Sequence, residues 1–331
     1  MVDALHGEGP GAVPRVSAII IFLDGAGFIA QAIDSVLAQA GVDLELLLVD
    51  DGSTDGATQI AEAYAGADPA RVRVLWHPGR ANLGMSASRN LGLAQARGEL
   101  VAFLDADDLW LPGKIAAQVA IFQADPSLAL VYGKTLIWHS WDAAQVHLQD
   151  HFVPLGVEPG TRHAPAALLA NLLRNRFQTP TTCNAILSRA ACLAIGGFDE
   201  AFRGMYEDQA FFARLYLDHP VFVAGDCWAW YRQHVRPSPP FRRAAYFKER
   251  RQLLEHVYRH VRPRWAALDD ATREVLRIER FNARYPVLAA WIGPPRDDDF
   301  RQRLAFARAA GWRWRRAEGA PTVGTPGDRG T

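Results

Sequence analysis

Patterns of buried strands and amphipathic helices alternate over residues 16–137. Continuous apolar runs predict strands covered on both faces, and apolar residues three and four positions apart predict helices between them. The predicted strands are Val16–Phe22, Leu44–Val49, Arg71–Trp76, Glu99–Leu104 and Leu128–Ile137. The predicted helices are Phe28–Leu37, Thr54–Ala65, Leu83–Ala96 and Lys114–Gln123. This order predicts an α/β fold with a mostly parallel central sheet flanked by helices.

The pattern is less regular beyond this point. Residues 139–165 have no clear period, so we expect a long loop, which is a candidate for substrate contact. The later predicted elements are short strands at Cys183–Leu187, Val221–Ala224 and Cys227–Tyr231, and a helix at Asp208–Leu217. The run Pro237–Pro240 predicts a break, and residues 241 to about 310 then have helical spacing.

Charge divides the chain in the same place. Residues 1–235 carry 15 Lys and Arg against 25 Asp and Glu, whereas residues 236–316 carry 20 against 9. An acidic body joined to a basic segment indicates two functional parts. The predicted regions are a disordered tail at 1–13, a folded α/β domain at 14–235, a basic helical extension at 241–316 and a disordered tail at 317–331.

Composition excludes several classes of protein. With 49% hydrophobic and 22% charged residues, the chain resembles globular rather than disordered proteins. No apolar run approaches the ~18–20 residues of a membrane span, and the N-terminus lacks the basic-then-apolar pattern of a secretory signal. Three cysteines without metal-ligand spacing argue against a disulfide framework and indicate a reducing cytoplasm.

Two acidic clusters follow predicted strands. Asp50 and Asp51 come after the second strand, and Asp105, Asp107 and Asp108 come after the fourth. Ligands of open α/β sheets bind beyond the carboxyl ends of the strands. Five carboxylates at that edge repel one another unless a divalent cation and hydrogen-bond donors from a ligand offset the charge. For either cluster alone, turn formation and helix capping are the alternative explanation.

The clusters belong to a longer series of motifs. The series comprises Val16–Leu23, Leu47–Asp55, Ser88–Asn90, Gly98–Glu99, Phe103–Asp108, Gly196–Glu200, Glu207–Gln209 and Tyr231–His234. Their order and spacing resemble the nucleotide-sugar-binding domain of family 2 glycosyltransferases. The resemblance covers residues 14–235 and nothing comparable covers 241–331. It implies a Rossmann-like GT-A fold, a catalytic domain over 14–235, and an inverting transfer of a sugar from a nucleotide donor.

The resemblance implies roles for both clusters. Asp51, with Asp50 beside it, would accept a hydrogen bond from the nucleobase, usually from uracil N3–H. The run from Asp105 to Asp107 matches the D-x-D motif of the family. Asp107 would bind Mn²⁺ or Mg²⁺, which bridges the donor diphosphate, while Asp105 would contact ribose or sugar and Asp108 would support the site.

Other residues have weaker implied roles. In many relatives a His at the position of His234 helps to bind the metal or the diphosphate, and a structural role is the alternative. Arg80 or Arg89 would add positive charge near the nucleotide, with a surface or helix-end salt bridge as the alternative. Asp24 stands where relatives often have Asn, and it adds another acid near the nucleotide.

The pair Glu207 and Asp208 matches the position of the catalytic base in the family, and Asp208 is the favoured candidate. In an inverting transfer one carboxylate removes the proton of the acceptor hydroxyl as its oxygen attacks the anomeric carbon. Helix capping by acids in the first turn is the alternative. On the acceptor side, Thr179–Thr182 would line the site or form a simple polar turn. Trp138, His139 and Trp141 would stack on sugars or pack internally.

These inferences lead us to expect a metal-dependent glycosyltransferase. It would use a nucleotide-sugar donor, with a UDP-sugar favoured, and a hydroxyl of a glycan or lipid-linked saccharide as acceptor. One alternative is a non-catalytic sugar-nucleotide-binding protein of the same fold. Another is a sugar-phosphate nucleotidyltransferase, but those enzymes usually carry a basic Gly-rich loop, whereas Asp24–Gly27 has no basic residue.

Three interpretations fit the basic segment 241–316. It forms a helical cap with Arg stems packed on aromatic rings, or a peripheral contact with the inner face of the cytoplasmic membrane, or a nucleic-acid-binding surface. The acidic run Asp297–Asp299 argues against a simple polybasic anchor. We therefore favour the cap, expect a cytoplasmic protein and expect no nucleic-acid partner.

Overall fold

The computed structural model describes residues 15–145, 147–234 and 241–285. The sequence predictions for 1–13, 286–316 and 317–331 lie outside these residues. In the described part of the chain, ten strands form one sheet. They are β1 (Val16–Phe22), β2 (Leu44–Asp50), β3 (Val72–Trp76), β4 (Leu100–Asp105), β5 (Leu109–Trp110), β6 (Leu130–Trp138), β7 (His151–Phe152), β8 (Thr161–His163), β9 (Ile186–Ser188) and β10 (Val221–Arg232). The order across the sheet is β3-β2-β1-β4-β9-β6-β10-β5, with β7 on β6 and β8 on β10.

Helices cover the sheet. They are α1 (Ile29–Leu37), α2 (Ala57–Ala67), α3 (Met85–Gln95), α4 (Lys114–Ala124), α5 (Leu169–Arg174), α6 (Arg189–Ala194), α7 (Glu207–Asp218), α8 (Phe241–Val261) and α9 (Asp270–Arg284). The α/β fold predicted from the hydrophobic pattern is confirmed, with helices packed on both faces of the sheet as two separate clusters of buried side chains.

The first four long strands are parallel, and their carboxyl ends are aligned. Phe22 at the end of β1 pairs with Asp50 of β2, and Ile21 pairs with Asp105 of β4. Every residue of β1 and β2 is buried, because helices cover both faces of these strands. This register brings the two acidic clusters to one edge of the sheet.

Helix α3 lies unusually close to the sheet at Gly92. A β-carbon at this position would be 2.5 Å from Cγ2 of Ile19 on β1. Only glycine therefore allows this approach, which brings the N-terminal half of α3 beside the edge of the sheet.

The later strands differ from the sequence prediction. Strand β9 is antiparallel to both β4 and β6, so β6 and β10 continue in the direction of the first strands. The two late strands predicted at Val221–Ala224 and Cys227–Tyr231 are one strand, β10. Its pairing with β6 shifts register on each side of Cys227, and this irregularity interrupts the alternation of buried residues.

Helices α8 and α9 pack against α5 and α7. Their inward side chains Leu253, Leu254, Val257 and Leu276 are buried and belong to the same core cluster as Phe198 and Phe211. In the part of the chain that the structure describes, we find no helix with the length and hydrophobicity needed to cross a membrane.

Candidate active site

Asp50 and Asp51 differ in what their carboxylates contact. Asp50 binds its own turn, since it accepts hydrogen bonds from the amides of Gly52 and Ser53 and from the Thr58 hydroxyl, at 3.1, 2.8 and 2.6 Å. Asp51 instead reaches across the edge of the sheet to the loop before α3. The carboxylate of the buried Asp50 therefore stabilises the β2–α2 turn.

The Asp51 carboxylate accepts hydrogen bonds from the amides of Leu83 and Gly84, at 2.8 and 3.0 Å. His77 Nε2 lies 3.6 Å from the same carboxylate. Gly52 permits the approach of the two loops, because a β-carbon there would be 2.9 Å from the carbonyl oxygen of Arg80. Asp51 thus joins the β2–α2 loop to the loop before α3.

Asp24 joins two loops at the same edge. Its backbone is left-handed, with a φ of 56°, and its carboxylate accepts hydrogen bonds from the Thr54 amide at 2.7 Å and the Thr54 hydroxyl at 3.2 Å. Asp55 connects the same two loops, because its carboxylate accepts hydrogen bonds from the amides of Gly25 and Ala26. The amide hydrogen bond from Ala26 is the main factor that lowers the pKa of Asp55.

Arg89 lies at the centre of the site and connects its two halves. Its guanidinium is buried and binds Asp105 at 2.8 Å and Glu207 at 3.1 Å. The ring of Phe198 lies 5.5 Å from its central carbon. The D-x-D run and the start of α7, more than 100 positions apart in sequence, are therefore held by one cation.

Asp208 and its neighbour Glu207 differ in the partners of their carboxylates. Its carboxylate accepts a hydrogen bond from the Gln209 amide at 2.6 Å and forms no ion pair with any described residue. Burial raises the pKa of Asp208 to about 7, repulsion from Glu207 adds to the rise, and Arg89 opposes it. A partly buried carboxylate with this pKa can accept a proton near neutral pH.

Asp107 and His234 form the other half of the site. Nε2 of His234 lies 2.9 Å from Oδ2 of Asp107, and both side chains are partly exposed. Burial and the charge of Asp105 raise the pKa of Asp107, while His234 opposes that rise. One oxygen and one nitrogen donor fit a divalent cation whose other ligands are phosphate oxygens. Among the described residues there is no group of three acidic, His or Cys side chains that could hold a metal.

Asp108 is buried beneath this pair. Its Oδ1 accepts a hydrogen bond from the Arg232 amide at 2.9 Å, which connects the D-x-D loop to the end of β10. Burial raises the pKa of Asp108 well above its usual range, and the charges of Asp107 and Asp105 add to that effect.

The matching family model is Glycosyl transferase family 2, and it matches residues 17–194, more than half of the chain. The chain belongs to glycosyltransferase family 2. An uncharacterised glycosyltransferase of Nostoc, alr2836, is 37% identical over 123 residues, which are 37% of this chain and 37% of that protein. The chain therefore matches little more than a third of that relative's length.

Solved structures agree with this family assignment at the level of the fold. Staphylococcus aureus TarS 1–349 in complex with UDP-GlcNAc is 20% identical, with a TM-score of 0.61 over 82% of this chain and 73% of that one. Mannosyltransferase PcManGT of Pyrobaculum calidifontis, in complex with GDP-Man and Mn²⁺, is 19% identical. Its TM-score is 0.55 over 91% of this chain and 81% of that one. The GT-A fold expected from the sequence is confirmed.

The structure reveals an aromatic enclosure in this family 2 site that the sequence did not indicate. The guanidinium of Arg232 lies 4.7–5.0 Å from the rings of Phe28, Trp138 and Trp141. His234 contacts the rings of Phe28 and Trp141 at 5.3 and 5.0 Å. Trp138 and Trp141, which were candidates for stacking on a sugar, thus pack on Arg232. The one sign of this enclosure in the sequence is Arg232, two positions before His234.

Arg80 lies apart from this constellation. Its side chain is 59% exposed, stacks 4.8 Å from the ring of Trp76 and lies 3.7 Å from Glu62. Most of the other predicted site residues lie along the aligned strand ends and the elements packed on them. They are Asp51, Asp105, Asp107, Asp108, Arg89, Glu207, Asp208 and His234. The roles implied for all these residues stay predictions.

Proposed function

We propose that the chain transfers a sugar from a nucleotide-sugar donor to an acceptor hydroxyl, with inversion at the anomeric carbon and Asp208 as general base. One observation carries the proposal. Asp208 has no ion pair in the described structure, while the adjacent Glu207 is joined through Arg89 to Asp105 of the D-x-D run. An Asp carboxylate without an ion pair, next to a Glu that Arg89 joins to the D-x-D run, supports Asp208 as the base.

The chemical step needs one proton acceptor on the acceptor side. The acceptor oxygen forms a bond to the anomeric carbon while the bond between that carbon and the diphosphate oxygen breaks. The hydroxyl proton passes to Asp208, and the bonding electrons leave with the nucleoside diphosphate. Glu207 and Arg89 hold the start of α7, and the negative charge of Glu207 helps keep the pKa of Asp208 near neutrality.

Asp107 and His234 would hold a Mn²⁺ or Mg²⁺ ion, with diphosphate oxygens as further ligands. When bound, the cation would supply positive charge that stabilises the leaving diphosphate. The Mn²⁺ in the PcManGT complex supports this part of the proposal. Arg232 would add a second, fixed positive charge, since it forms no ion pair among the described residues.

The donor would be a nucleotide sugar bound between Asp51 and the D-x-D run. The complexes of TarS with UDP-GlcNAc and of PcManGT with GDP-Man support this class, and the sequence favours a UDP-sugar. The acceptor would be a hydroxyl of a glycan or a lipid-linked saccharide. For the whole protein we propose a cytoplasmic location. The described part of the basic C-terminal segment packs on the core, which supports the cap over peripheral membrane contact.

The donor site is tested by thermal unfolding with UDP, GDP, CDP and dTDP, each with and without Mn²⁺. A ligand that binds only the folded state raises the midpoint, by an amount that corresponds to about 2.7 kcal/mol at a hundred times its dissociation constant. We expect one nucleotide to raise the midpoint only with Mn²⁺. Asp107→Ala should lose the shift, and the surface variant Asp125→Ala should keep it. No shift with any nucleotide would contradict the proposal.

A further inference from the structure

The chain segment that precedes the base is held in an uncommon conformation. This segment, residues 199–206, is termed the approach segment, and α7 begins directly after it. Its last residue, Tyr206, is buried and left-handed, with a φ of 73°. Such a conformation costs about 1–3 kcal/mol for a residue with a side chain and persists only where the surroundings fix it. The orientation of Asp208 therefore depends on what holds this segment.

One face of α8 contacts the approach segment. Glu249, Gln252 and His256 share this face because they are three and four positions apart. Oε2 of Glu249 accepts a hydrogen bond from the amide of Met205 at 3.1 Å. Nε2 of Gln252 donates to the carbonyl oxygen of Ala201 at 3.0 Å.

His256 extends these contacts by one turn of the helix. Its Nδ1 lies 3.0 Å from Oδ2 of Asp199, and its ring packs edge-on against Phe202 at 5.3 Å. Helix α3 also contacts this segment, since the Ser86 hydroxyl donates to the carbonyl oxygen of Phe202 at 3.1 Å. The approach segment is thus bound by two helices, and only α3 belongs to the predicted α/β domain.

Of the three side chains on this face, Glu249 binds the residue closest in sequence to Asp208. The amide that it accepts belongs to Met205, three positions before Asp208. A β-carbon on Gly204 would be 3.0 Å from Oε1 of Glu249, so the backbone approaches the carboxylate closely. Glu249 forms no ion pair among the described residues, whereas Glu255 on the same helix pairs with Arg280 on α9.

We propose that Glu249 is a positioning residue for Asp208: by binding the Met205 amide it fixes the approach segment and, through it, the start of α7. This inference rests on the proposed function for its catalytic consequence. It gives residues of the basic C-terminal segment a part in the catalytic step, in addition to covering the core.

The catalytic consequence is tested with Glu249→Ala, Glu249→Gln and the matched control Glu255→Ala. Misplacement of a catalytic group by about 1 Å costs up to a hundredfold in rate, so we expect kcat of Glu249→Ala to fall about tenfold or more. KM for the donor should not change. Glu249→Gln should restore kcat because its amide oxygen accepts the same hydrogen bond, and Glu255→Ala should retain it. Unchanged kcat in Glu249→Ala, or an equal loss in Glu255→Ala, would overturn the proposal.

Hydrogen exchange of the peptide spanning 199–208 tests the structural half without any substrate. We expect faster exchange in Glu249→Ala than in wild type, Glu249→Gln or Glu255→Ala. Equal exchange in all four proteins would overturn the proposal. If wild type transfers no sugar, the proposed function fails, and the exchange result still decides whether Glu249 holds the segment.

Discussion

At the scale of the residue, each acid of the site is defined by its partners. Asp50 accepts hydrogen bonds from its own turn and Glu207 pairs with Arg89, whereas Asp208 forms no ion pair among the described residues. The sequence indicated which acids to consider, because Asp50 follows a predicted strand and the pair Glu207 and Asp208 matches the position of the base in the family. It could not rank Asp208 above Glu207 on physical grounds, since the deciding contact comes from Arg89, 118 positions away.

The pH dependence of the reaction follows from Asp208. A general base acts only when deprotonated, and burial raises the pKa of this carboxyl to about 7. We expect kcat/KM to fall about tenfold per pH unit below pH 7 and to level off above it. The measurement is a pH–rate profile of the wild type at saturating Mn²⁺. An acid limb near pH 4 would contradict this assignment.

Arg89 should contribute strongly to stability. Its removal leaves the buried carboxylate of Glu207 and the partly exposed carboxylate of Asp105 without their shared cation. Loss of one partner of a buried ion pair typically costs about 3–5 kcal/mol. We expect Arg89→Met to lower the free energy of unfolding in urea by that amount. Arg162→Met, at an ion pair with Asp125 in which the two side chains are 50% and 33% exposed, should change it by about 0–1 kcal/mol. An equal loss in the free energy of unfolding of both variants would contradict the strong contribution of Arg89 to stability.

At the scale of the element, the fold is assembled from strands whose ends are in register. The long buried strands and their helices could be predicted because their periodicity is strong. The short elements β5, α5 and α6 could not be recognised, since two to six residues carry too little pattern. Helix α2 begins at Ala57, after the predicted start at Thr54, because the hydrogen bond from the Thr54 amide to Asp24 holds that residue in the loop.

The packing of α3 on β1 predicts whether Gly92→Ala raises or lowers the free energy of unfolding. Alanine normally favours a helix over glycine by about 1 kcal/mol. At Gly92 the new methyl group would meet Ile19 at 2.5 Å, and overpacking costs about 1–3 kcal/mol. We therefore expect Gly92→Ala to lower the free energy of unfolding in urea.

The control is Gly66→Ala in α2, where a β-carbon would have nothing within 4 Å. That substitution should raise the free energy of unfolding by about 0.5–1 kcal/mol. Stabilisation by Gly92→Ala of similar size would contradict the close approach of α3 to β1.

At the scale of the whole molecule, α8 and α9 share a core with the sheet domain. Charge and pattern suggested a boundary near residue 235, but composition cannot show which faces of a helix are buried. The structure gives Leu253 and Leu254 no solvent exposure. Their positions on α8 bring the polar face of Glu249, Gln252 and His256 onto the approach segment. The C-terminal helices thus connect the stability of the chain with the geometry of its site.

Truncation should reveal this connection. A chain that ends at residue 235 lacks α8 and α9. The surface of the remaining domain that packs against Leu254, Val257 and Leu276 would then be exposed to solvent. Leu254→Ala alone is expected to cost about 2–5 kcal/mol in the free energy of unfolding. We expect the truncated chain to unfold below the midpoint of the full chain or to aggregate, as measured by circular dichroism and light scattering. A truncated chain with the full midpoint would contradict the shared core.

The most direct measurement compares wild type with Asp208→Asn for release of nucleoside diphosphate from UDP-GlcNAc and GDP-mannose in the presence of Mn²⁺ and saccharide acceptors. We predict that the wild type turns over one donor. Asp208→Asn should lose about 10²–10⁴-fold in kcat and keep the Mn²⁺-dependent rise in unfolding midpoint with the matching nucleotide. Asn is close in size to Asp but cannot act as the base. Turnover by Asp208→Asn at the wild-type rate would contradict the assignment of Asp208, and absence of turnover in the wild type would contradict the proposed transfer itself.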